Sequence, residues 1–243
     1  MNFLEVIGVT QHFGGVTALS QVDMHVKKGE ILGLIGSNGA GKTTLFNVIG
    51  GYFHPSAGSV RFKGEEFAGM KPFQVCRKGI ARTFQVVRPL RNMTVLKNVM
   101  VGRLFGKDCI KTERQAGPEA TRILDFVGLG EKIHLPAREL TLVDHKRLEM
   151  ARALACNPEL LLLDEVLAGL TPTEMAVAMD IVREVREKMG VTILMVEHVM
   201  AAVVGLCDRV VVLHHGRKIA EGTPKEITEN PQVIEAYLGE SLV

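Results

Sequence analysis

Neither sign of charge dominates this chain of 243 residues. Its 29 basic residues nearly balance its 27 acidic residues and leave a formal net charge of +2. Because such a protein carries no global field to attract nucleic acid or an anionic membrane, we expect no nucleic-acid partner. The composition, 47% hydrophobic and 23% charged, is that of an ordinary globular protein with room for one sizeable domain.

Long apolar runs are also missing. No uninterrupted apolar stretch approaches the roughly 20 residues that are needed to span a bilayer. The N-terminal residues lack the basic start and the apolar segment of a secretory signal peptide. If the protein serves a membrane, we therefore expect it to do so through a partner.

Cysteine is sparse and scattered. The four cysteines are Cys76, Cys109, Cys156 and Cys207, and no two of them have CxxC spacing. This pattern does not indicate a zinc site or a disulfide framework. We expect reduced thiols of an intracellular chain, buried as small apolar side chains.

Short apolar runs define the predicted core. They occupy residues 31–35, 160–163, 191–196 and 210–213. Runs of this length that do not alternate are typical of parallel strands buried on both faces. Helical periodicity lies between them, for example over residues 173–189, so strand and helix alternate as in an α/β sheet.

Two stretches depart from this alternation. Roughly the first 25 residues predict a small β edge with a turn at Gly14 and Gly15. From about residue 86 to residue 140 the sequence shows helix-like patches and no convincing strand. The glycines predicted to separate short helices there are Gly102, Gly106, Gly117, Gly128 and Gly130. We interpret this second stretch as a helical insertion.

The strongest motif is a phosphate-binding loop. Residues 36–43 match GxxxxGK[ST], and they follow an apolar strand and precede a helical pattern. Glycines let backbone N–H groups surround phosphates, while Lys42 reaches the terminal phosphates and the Thr43 hydroxyl binds Mg²⁺. The predicted nucleotide-binding residues of the loop are Gly36, Ser37, Asn38, Gly39, Ala40, Gly41, Lys42, Thr43 and Thr44. The loop alone does not separate kinases, GTPases, motor ATPases and transporters.

Two further strands end in polar residues. The run at 160–163 is followed by Asp164 and Glu165, and the run at 191–196 is followed by Glu197 and His198. Buried parallel strands deliver such residues to the ligand-binding edge of the sheet. We expect Asp164 to hold Mg²⁺ and Glu165 to polarise the attacking water. His198 contacts the γ-phosphate or, alternatively, serves as a structural capping or turn residue.

The order of these motifs resembles that of ABC-type ATPases over essentially the whole chain. The resemblance implies that Phe13 stacks on adenine, with a plain core residue as the alternative. It implies that Gln85, in Thr-Phe-Gln, touches Mg²⁺ or the lytic water, and that residues 168–171 cross a dimer interface. The implied metal ligands are Thr43, Gln85 and Asp164, the implied catalytic residues are Glu165, His198, Gln85 and Lys42, and the implied cofactors are ATP and Mg²⁺.

The resemblance also implies a domain plan. The expected fold is an α/β phosphate-loop NTPase core with a mostly parallel sheet, a small N-terminal antiparallel β part and an inserted helical subdomain. One ABC ATPase cassette would span residues 1–243. Its nucleotide-binding core would comprise residues 1–85 and 141–220, its helical signature subdomain residues 86–140, and its C-terminal helical tail residues 221–243.

One motif departs from the family pattern. Where the family reads LSGGQ, this chain reads Leu-Thr-Leu-Val-Asp, so the segment offered to a partner's γ-phosphate comprises Thr141, Leu142, Val143 and Asp144. Replacing both glycines adds bulk, and Asp144 adds negative charge near a triphosphate. We hypothesise that the composite site completed by this segment is slower. The alternative is that Thr141 and the helix dipole suffice and both sites turn over.

Finer features resemble the ATP-binding subunits of branched-chain amino acid importers. They include Arg82 to Gln85, residues 168–172, and the tail from Gly216 to Glu240. The implied partners are a second ATP-binding subunit, transmembrane permease subunits and, indirectly, a solute-binding protein. We favour a heterodimer of two different ATP-binding subunits, and a homodimer is the alternative. The protein would lie at the cytoplasmic face of the membrane. Lipopolysaccharide export, a non-transport ABC ATPase and a catalytically idle subunit remain as alternatives.

Overall fold

The structure, a computed structural model, describes residues 2–85 and 87–238. Residues 1, 86 and 239–243 lie outside the described part. They include the first residue of the predicted helical insertion and the last residues of the predicted tail.

Strands and helices alternate through most of the chain. The strands are β1 (Asn2–Phe13), β2 (Val16–Lys27), β3 (Ile31–Ile35), β4 (Ala57–Phe62), β5 (Glu65–Glu66), β6 (Ile80–Arg82), β7 (Leu160–Asp164), β8 (Thr192–Val196), β9 (Arg209–His214) and β10 (Arg217–Gly222). The α-helices are α1 (Lys42–Ile49), α2 (Pro72–Arg77), α3 (Val95–Phe105), α4 (Glu113–Phe126), α5 (Leu142–Ala155), α6 (Pro172–Met189), α7 (Met200–Leu206), α8 (Pro224–Thr228) and α9 (Pro231–Leu238). Short 3-10 helices lie at Gly130–Lys132 and Ala137–Glu139. Within residues 2–85 and 87–238, no helix is long and apolar enough to cross a bilayer.

The chain forms two compact units. The first contains residues up to Pro72 together with residues from Thr192 onward, and the second contains Phe73–Val191. The sequence-based division at residues 85/86 and 140/141 stays a prediction.

The first unit begins with an antiparallel sheet in the order β2-β1-β4-β5. β1 and β2 form a hairpin that turns at Gly14 and Gly15, and Gly14 takes the positive φ of +56° that such a turn requires. The predicted N-terminal β edge is therefore confirmed.

A second layer of the first unit has the order β10-β9-β3-β8. β3 pairs in parallel with both β8 and β9, and β10 pairs antiparallel with β9. All residues of β3 and β8 are buried, which explains why these strands are continuously apolar. The first unit thus has the mixed, mostly parallel sheet that the sequence predicts.

The second unit carries the helical stretch. β6 and β7 pair in parallel, and α3, α4 and α5 lie between them in the chain. α3 packs on α4 and α5 through a core that includes Val99, Leu124 and Leu148. Threonine side chains cap these helices by accepting a backbone N–H bond, at Thr94 for α3 and at Thr112 for α4.

The glycine pattern was partly misread. Gly102 and Gly117, predicted to separate helices, lie inside α3 and α4. A Cβ on Gly102 would lie 2.7 Å from the Ala155 Cβ and 2.8 Å from the Arg152 carbonyl oxygen. Glycine is therefore used at position 102 to let α3 approach α5 closely, and not to end the helix.

The prediction of four buried cysteines was wrong for three of them. Cys207 is buried, whereas Cys76, Cys109 and Cys156 are half-buried. Cys76 lies on the short helix α2 and Cys156 is the C-cap residue of α5, positions that leave part of each side chain accessible. Burial raises the pKa of the Cys207 thiol to about 12. Because the thiolate is the reactive form, this thiol is unreactive near neutral pH.

Candidate functional site

The phosphate-binding loop lies in the first unit between β3 and α1. Gly36 has a φ of +153° and Gly41 a φ of +101°. A Cβ on Gly36 would lie 2.2 Å from the Leu213 carbonyl oxygen, and a Cβ on Gly41 would lie 2.7 Å from the Ala18 carbonyl oxygen. Both glycines are therefore required by the close approach of neighbouring backbone as well as by their own conformation.

Lys42 brings a buried positive charge to this loop. Its Nζ donates hydrogen bonds to the carbonyl oxygens of Gly36, at 2.6 Å, and Ser37, at 2.7 Å, and the residue is only 5% exposed. The N-cap of α1 is Gly41, which has no side chain to bond the first amides of the helix. A charged ammonium beside a helix N-terminus of this kind fits a phosphate group.

The middle residues of the loop and Thr43 lie at the surface. Asn38, Gly39 and Thr43 are exposed, whereas Ala40 is buried and Thr44 is half-buried. The exposed residues are free of the core and accessible to a ligand. The nucleotide contacts assigned to the loop stay predictions.

Phe13 ends β1 with 43% of its surface exposed. Its ring meets that of Phe53 edge to face, with the centroids 5.2 Å apart. Phe13 is thus not a core residue, and part of its surface is accessible to a ligand. Its role toward adenine stays a prediction.

His198 lies in the short segment between β8 and α7 and is exposed. The N-cap of α7 is Val199, so His198 does not occupy the N-cap position. Its role toward a γ-phosphate stays a prediction.

The acidic pair lies in the second unit at the end of β7. Asp164 is 3% exposed, and its Oδ2 accepts a hydrogen bond from Arg82 Nη2 at 2.7 Å. Its backbone N–H donates to the Thr83 hydroxyl at 3.1 Å. The Asp164 carboxylate is therefore held in one orientation by the neighbouring strand. Sequence reasoning did not assign Arg82 to the site, although its position before Gln85 on a strand parallel to β7 was a usable signal.

Glu165 and Gln85 come together directly. Gln85 Nε2 donates to Glu165 Oε2 at 2.6 Å. Glu165 has a φ of +50°, a conformation that costs a non-glycine residue about 1–3 kcal/mol and recurs at active sites. Two features therefore orient the Glu165 carboxylate. One is its strained backbone, and the other is the hydrogen bond from Gln85, which lies 80 residues away in the sequence.

The altered signature segment starts a helix without strain. Thr141 is the N-cap residue of α5, and Leu142 and Val143 follow within the helix and its first turn. Neither takes a positive φ. Leu142 and Val143 therefore take ordinary helical conformations, and the backbone here needs no glycine. Leu142 remains 62% exposed at the helix start.

Asp144 faces inward rather than adding free charge at this helix start. Its Oδ2 accepts hydrogen bonds from the Thr141 hydroxyl at 2.8 Å and from Lys132 Nζ at 2.6 Å, and Asp144 is 4% exposed. Burial by itself raises the pKa of the Asp144 carboxyl, but the bonds from Lys132 and Thr141 outweigh burial and lower the pKa overall. The negative charge that Asp144 adds is thus paired with Lys132, and its effect on a partner's triphosphate stays a prediction. No local sequence signal indicated Lys132.

We expect the substitution Lys132→Met to lower the free energy of unfolding by about 1 kcal/mol at pH 7, a modest value because Lys132 is 40% exposed. Since the folded-state pKa of Asp144 is depressed, this contribution is present above about pH 4 and is lost as the pH falls through the folded-state pKa. Urea unfolding between pH 7 and about pH 3 measures the difference. Lys188→Met, which breaks an exposed pair with Glu184, is the control. A difference for Lys132→Met that persists unchanged at low pH would contradict the assignment.

Comparison with known proteins finds relatives over nearly the whole chain. Residues 19–168 match the family model for ABC transporters, and residues 217–242 match that for branched-chain amino acid ATP-binding cassette transporters. The chain is 38% identical over 250 residues to the high-affinity branched-chain amino acid transport ATP-binding protein BraF of Pseudomonas aeruginosa, with 98% of each protein covered. It is also 38% identical over 250 residues to the high-affinity branched-chain amino acid transport ATP-binding protein LivG of Escherichia coli K12, with 98% of each protein covered.

Solved structures agree with this relationship. An ATP-binding cassette of an ABC transporter in its ADP conformation matches with a TM-score of 0.89 at 33% identity, covering 98% of this chain and 99% of the other. A nucleotide-free cassette matches with a TM-score of 0.87 at 34% identity and the same coverage. The predicted fold class is therefore confirmed.

Proposed function

Since this chain belongs to the ABC transporter family, we propose that it is the ATP-hydrolysing subunit of an importer of branched-chain amino acids. The observation that carries the catalytic part is the Glu165 carboxylate at the end of buried β7, held by Gln85 and by an unusual backbone conformation. The substrate class is supported by the relatives, whose similarity extends through the C-terminal residues 217–242.

Each predicted residue has a task in this proposal. The loop from Gly36 to Thr44 binds the phosphates, with Lys42 neutralising their charge, and Phe13 stacks on adenine. Glu165, oriented by Gln85, accepts a proton from the attacking water. His198 donates to the γ-phosphate.

Magnesium enters the proposal through oxygen ligands. The Thr43 hydroxyl, the Gln85 amide oxygen and the Asp164 carboxylate are the donor types that Mg²⁺ prefers. When bound with ATP, Mg²⁺ supplies charge neutralisation on the phosphates. Asp164 fits this task because Arg82 already holds its carboxylate in one orientation and one of its oxygens remains for a metal.

The partners in the proposal are a second ATP-binding subunit, transmembrane permease subunits and, indirectly, a solute-binding protein. A heterodimer is favoured because a homodimer would place the altered segment from Thr141 to Asp144 in both composite sites. ATP would close the pair and hydrolysis would release it, a population shift that drives the permease. The chain would act at the cytoplasmic face of the membrane.

Reconstitution tests the proposal. The chain is co-expressed with the permease, binding-protein and second ATPase genes that neighbour its own, and the complex is placed in proteoliposomes. We expect ATP-dependent uptake of radiolabelled leucine, isoleucine or valine, and faster ATP hydrolysis when the loaded binding protein is added. ATP hydrolysis that no branched-chain amino acid stimulates, or stimulation by an unrelated solute, would contradict the proposed substrate class.

A further inference from the structure

A lysine on α5 donates hydrogen bonds to the backbone that follows Glu165. Lys146 Nζ donates to the Val166 carbonyl oxygen at 3.2 Å and, in a shorter bond, to the Ala168 carbonyl oxygen. These two residues lie one and three positions beyond Glu165 in the chain. One side chain therefore fixes the path of the backbone directly after the carboxylate.

Two backbone hydrogen bonds within the segment that Lys146 contacts are long. Its backbone bonds run from Ala168 N–H to the Glu165 oxygen at 3.3 Å and from Leu170 N–H to the Leu167 oxygen at 3.4 Å, both at or beyond the long end of the normal range. Gly169 adds a positive φ of +74°, and a Cβ there would meet open space. Such a segment depends on neighbours for its conformation.

The apolar surroundings of Lys146 strengthen its hydrogen bonds. Its side chain lines a largely apolar cleft between α5 and α6, together with Met150, Leu170 and Val182. Hydrogen bonds from a charged donor are strong, and they are stronger still where water is partly excluded.

Glu165 needs support on both sides because of its own backbone. Its φ of +50° persists only if the surrounding structure imposes it. Gln85 holds the end of the side chain, and Lys146 holds the carbonyl groups that follow. Without Lys146, the backbone after Glu165 could relax and turn the carboxylate away from Gln85.

We propose that Lys146 is a positioning residue for ATP hydrolysis, which fastens the backbone after Glu165 to α5, the helix that Thr141 caps. The inference rests on the proposed function of Glu165. Because Thr141 starts the same helix, the link also joins the segment offered to a partner to this chain's own carboxylate. The position of α5 then sets the orientation of Glu165.

Hydrogen–deuterium exchange in the full chain tests the contact between Lys146 and the backbone after Glu165, and it does not depend on activity. We expect Lys146→Met to speed exchange at the Ala168 and Leu170 amides by roughly tenfold or more, because local opening becomes easier. Lys146→Arg, which keeps the charge and the donors, should restore most of the protection. Arg147→Met is the matched control, since Arg147 is the next residue on α5 and is also half-buried. Unchanged exchange in Lys146→Met, or equal acceleration in Arg147→Met, would overturn the proposal.

Steady-state kinetics in the complex with the partner subunits test the consequence. We expect Lys146→Met to lower kcat by roughly tenfold to a hundredfold, with KM for ATP within about twofold and partial rescue in Lys146→Arg. An unchanged kcat, or a rise in KM that accounts for the whole loss, would overturn the positioning role. If the wild-type complex does not hydrolyse ATP, the proposed function fails, while the exchange experiment still decides whether Lys146 holds this segment. Lys146→Gln, which keeps a neutral donor, replaces Lys146→Met if the latter does not fold.

Discussion

Replacing Glu165 with glutamine is expected to lower kcat for ATP hydrolysis by about 10²–10⁴-fold while ATP still binds. The amide has the same shape as the carboxylate and can still accept the 2.6 Å bond from Gln85, so the local structure should persist. It cannot take up a proton from the attacking water. Phosphate release measures the loss, and binding of a fluorescent ATP analogue shows that the nucleotide site is intact.

The control for this substitution is Glu184→Gln on α6, which removes a carboxylate from a surface ion pair and should leave both measurements unchanged. Undiminished hydrolysis in Glu165→Gln would remove Glu165 from the mechanism. The chain would then be best described as a subunit that binds ATP and leaves hydrolysis to its partner.

Replacing Gly36 with alanine is expected to destabilise the first unit and abolish nucleotide binding. The new Cβ would lie 2.2 Å from the Leu213 carbonyl oxygen, at a φ of +153° that alanine rarely adopts. Leu213 belongs to β9, which pairs with β3 just before the loop, so neither backbone can move away without breaking the sheet. We expect a loss of about 3 kcal/mol, or about 10 °C in Tm.

Gly15→Ala is the matched control, because a Cβ there meets nothing within 4 Å and Gly15 does not have a positive φ. Thermal unfolding followed by circular dichroism compares the two variants with the parent protein. A Gly36→Ala protein with the parent Tm and parent affinity for ATP would show that the loop tolerates a side chain at its start, against the geometry described above.

Much of the fold followed from local patterns. The apolar runs at β3, β7, β8 and β9 predicted buried parallel strands, because only a strand covered on both faces remains apolar throughout. The loop at residues 36–43 was recognisable because phosphate binding needs small residues and a lysine at fixed spacing. The adjacent carboxylates after β7 indicated a nucleotide site, because ligands bind at the carboxyl ends of buried parallel strands.

The role of a glycine cannot always be predicted from its neighbours in the sequence. At Gly14 the residue makes a turn, as its sequence context indicates, whereas at Gly102 it admits Ala155 and lies inside a helix. Both uses exploit the missing Cβ, and the sequence does not distinguish conformational freedom from close approach. The second use depends on which helix packs against the first.

The sequence by itself determined the α/β fold class, and it predicted the phosphate-binding loop and the place of Glu165 at the end of a buried strand, since each depends on residues that are near one another in the chain. The tertiary structure alone decided how these groups are held: Arg82 on Asp164, Lys132 on Asp144, and Lys146 on the backbone after Glu165. Each holder is a long, flexible cation that reaches its target across 12 to 82 residues of chain. A cation of this kind has many possible partners in the sequence, and only packing selects one.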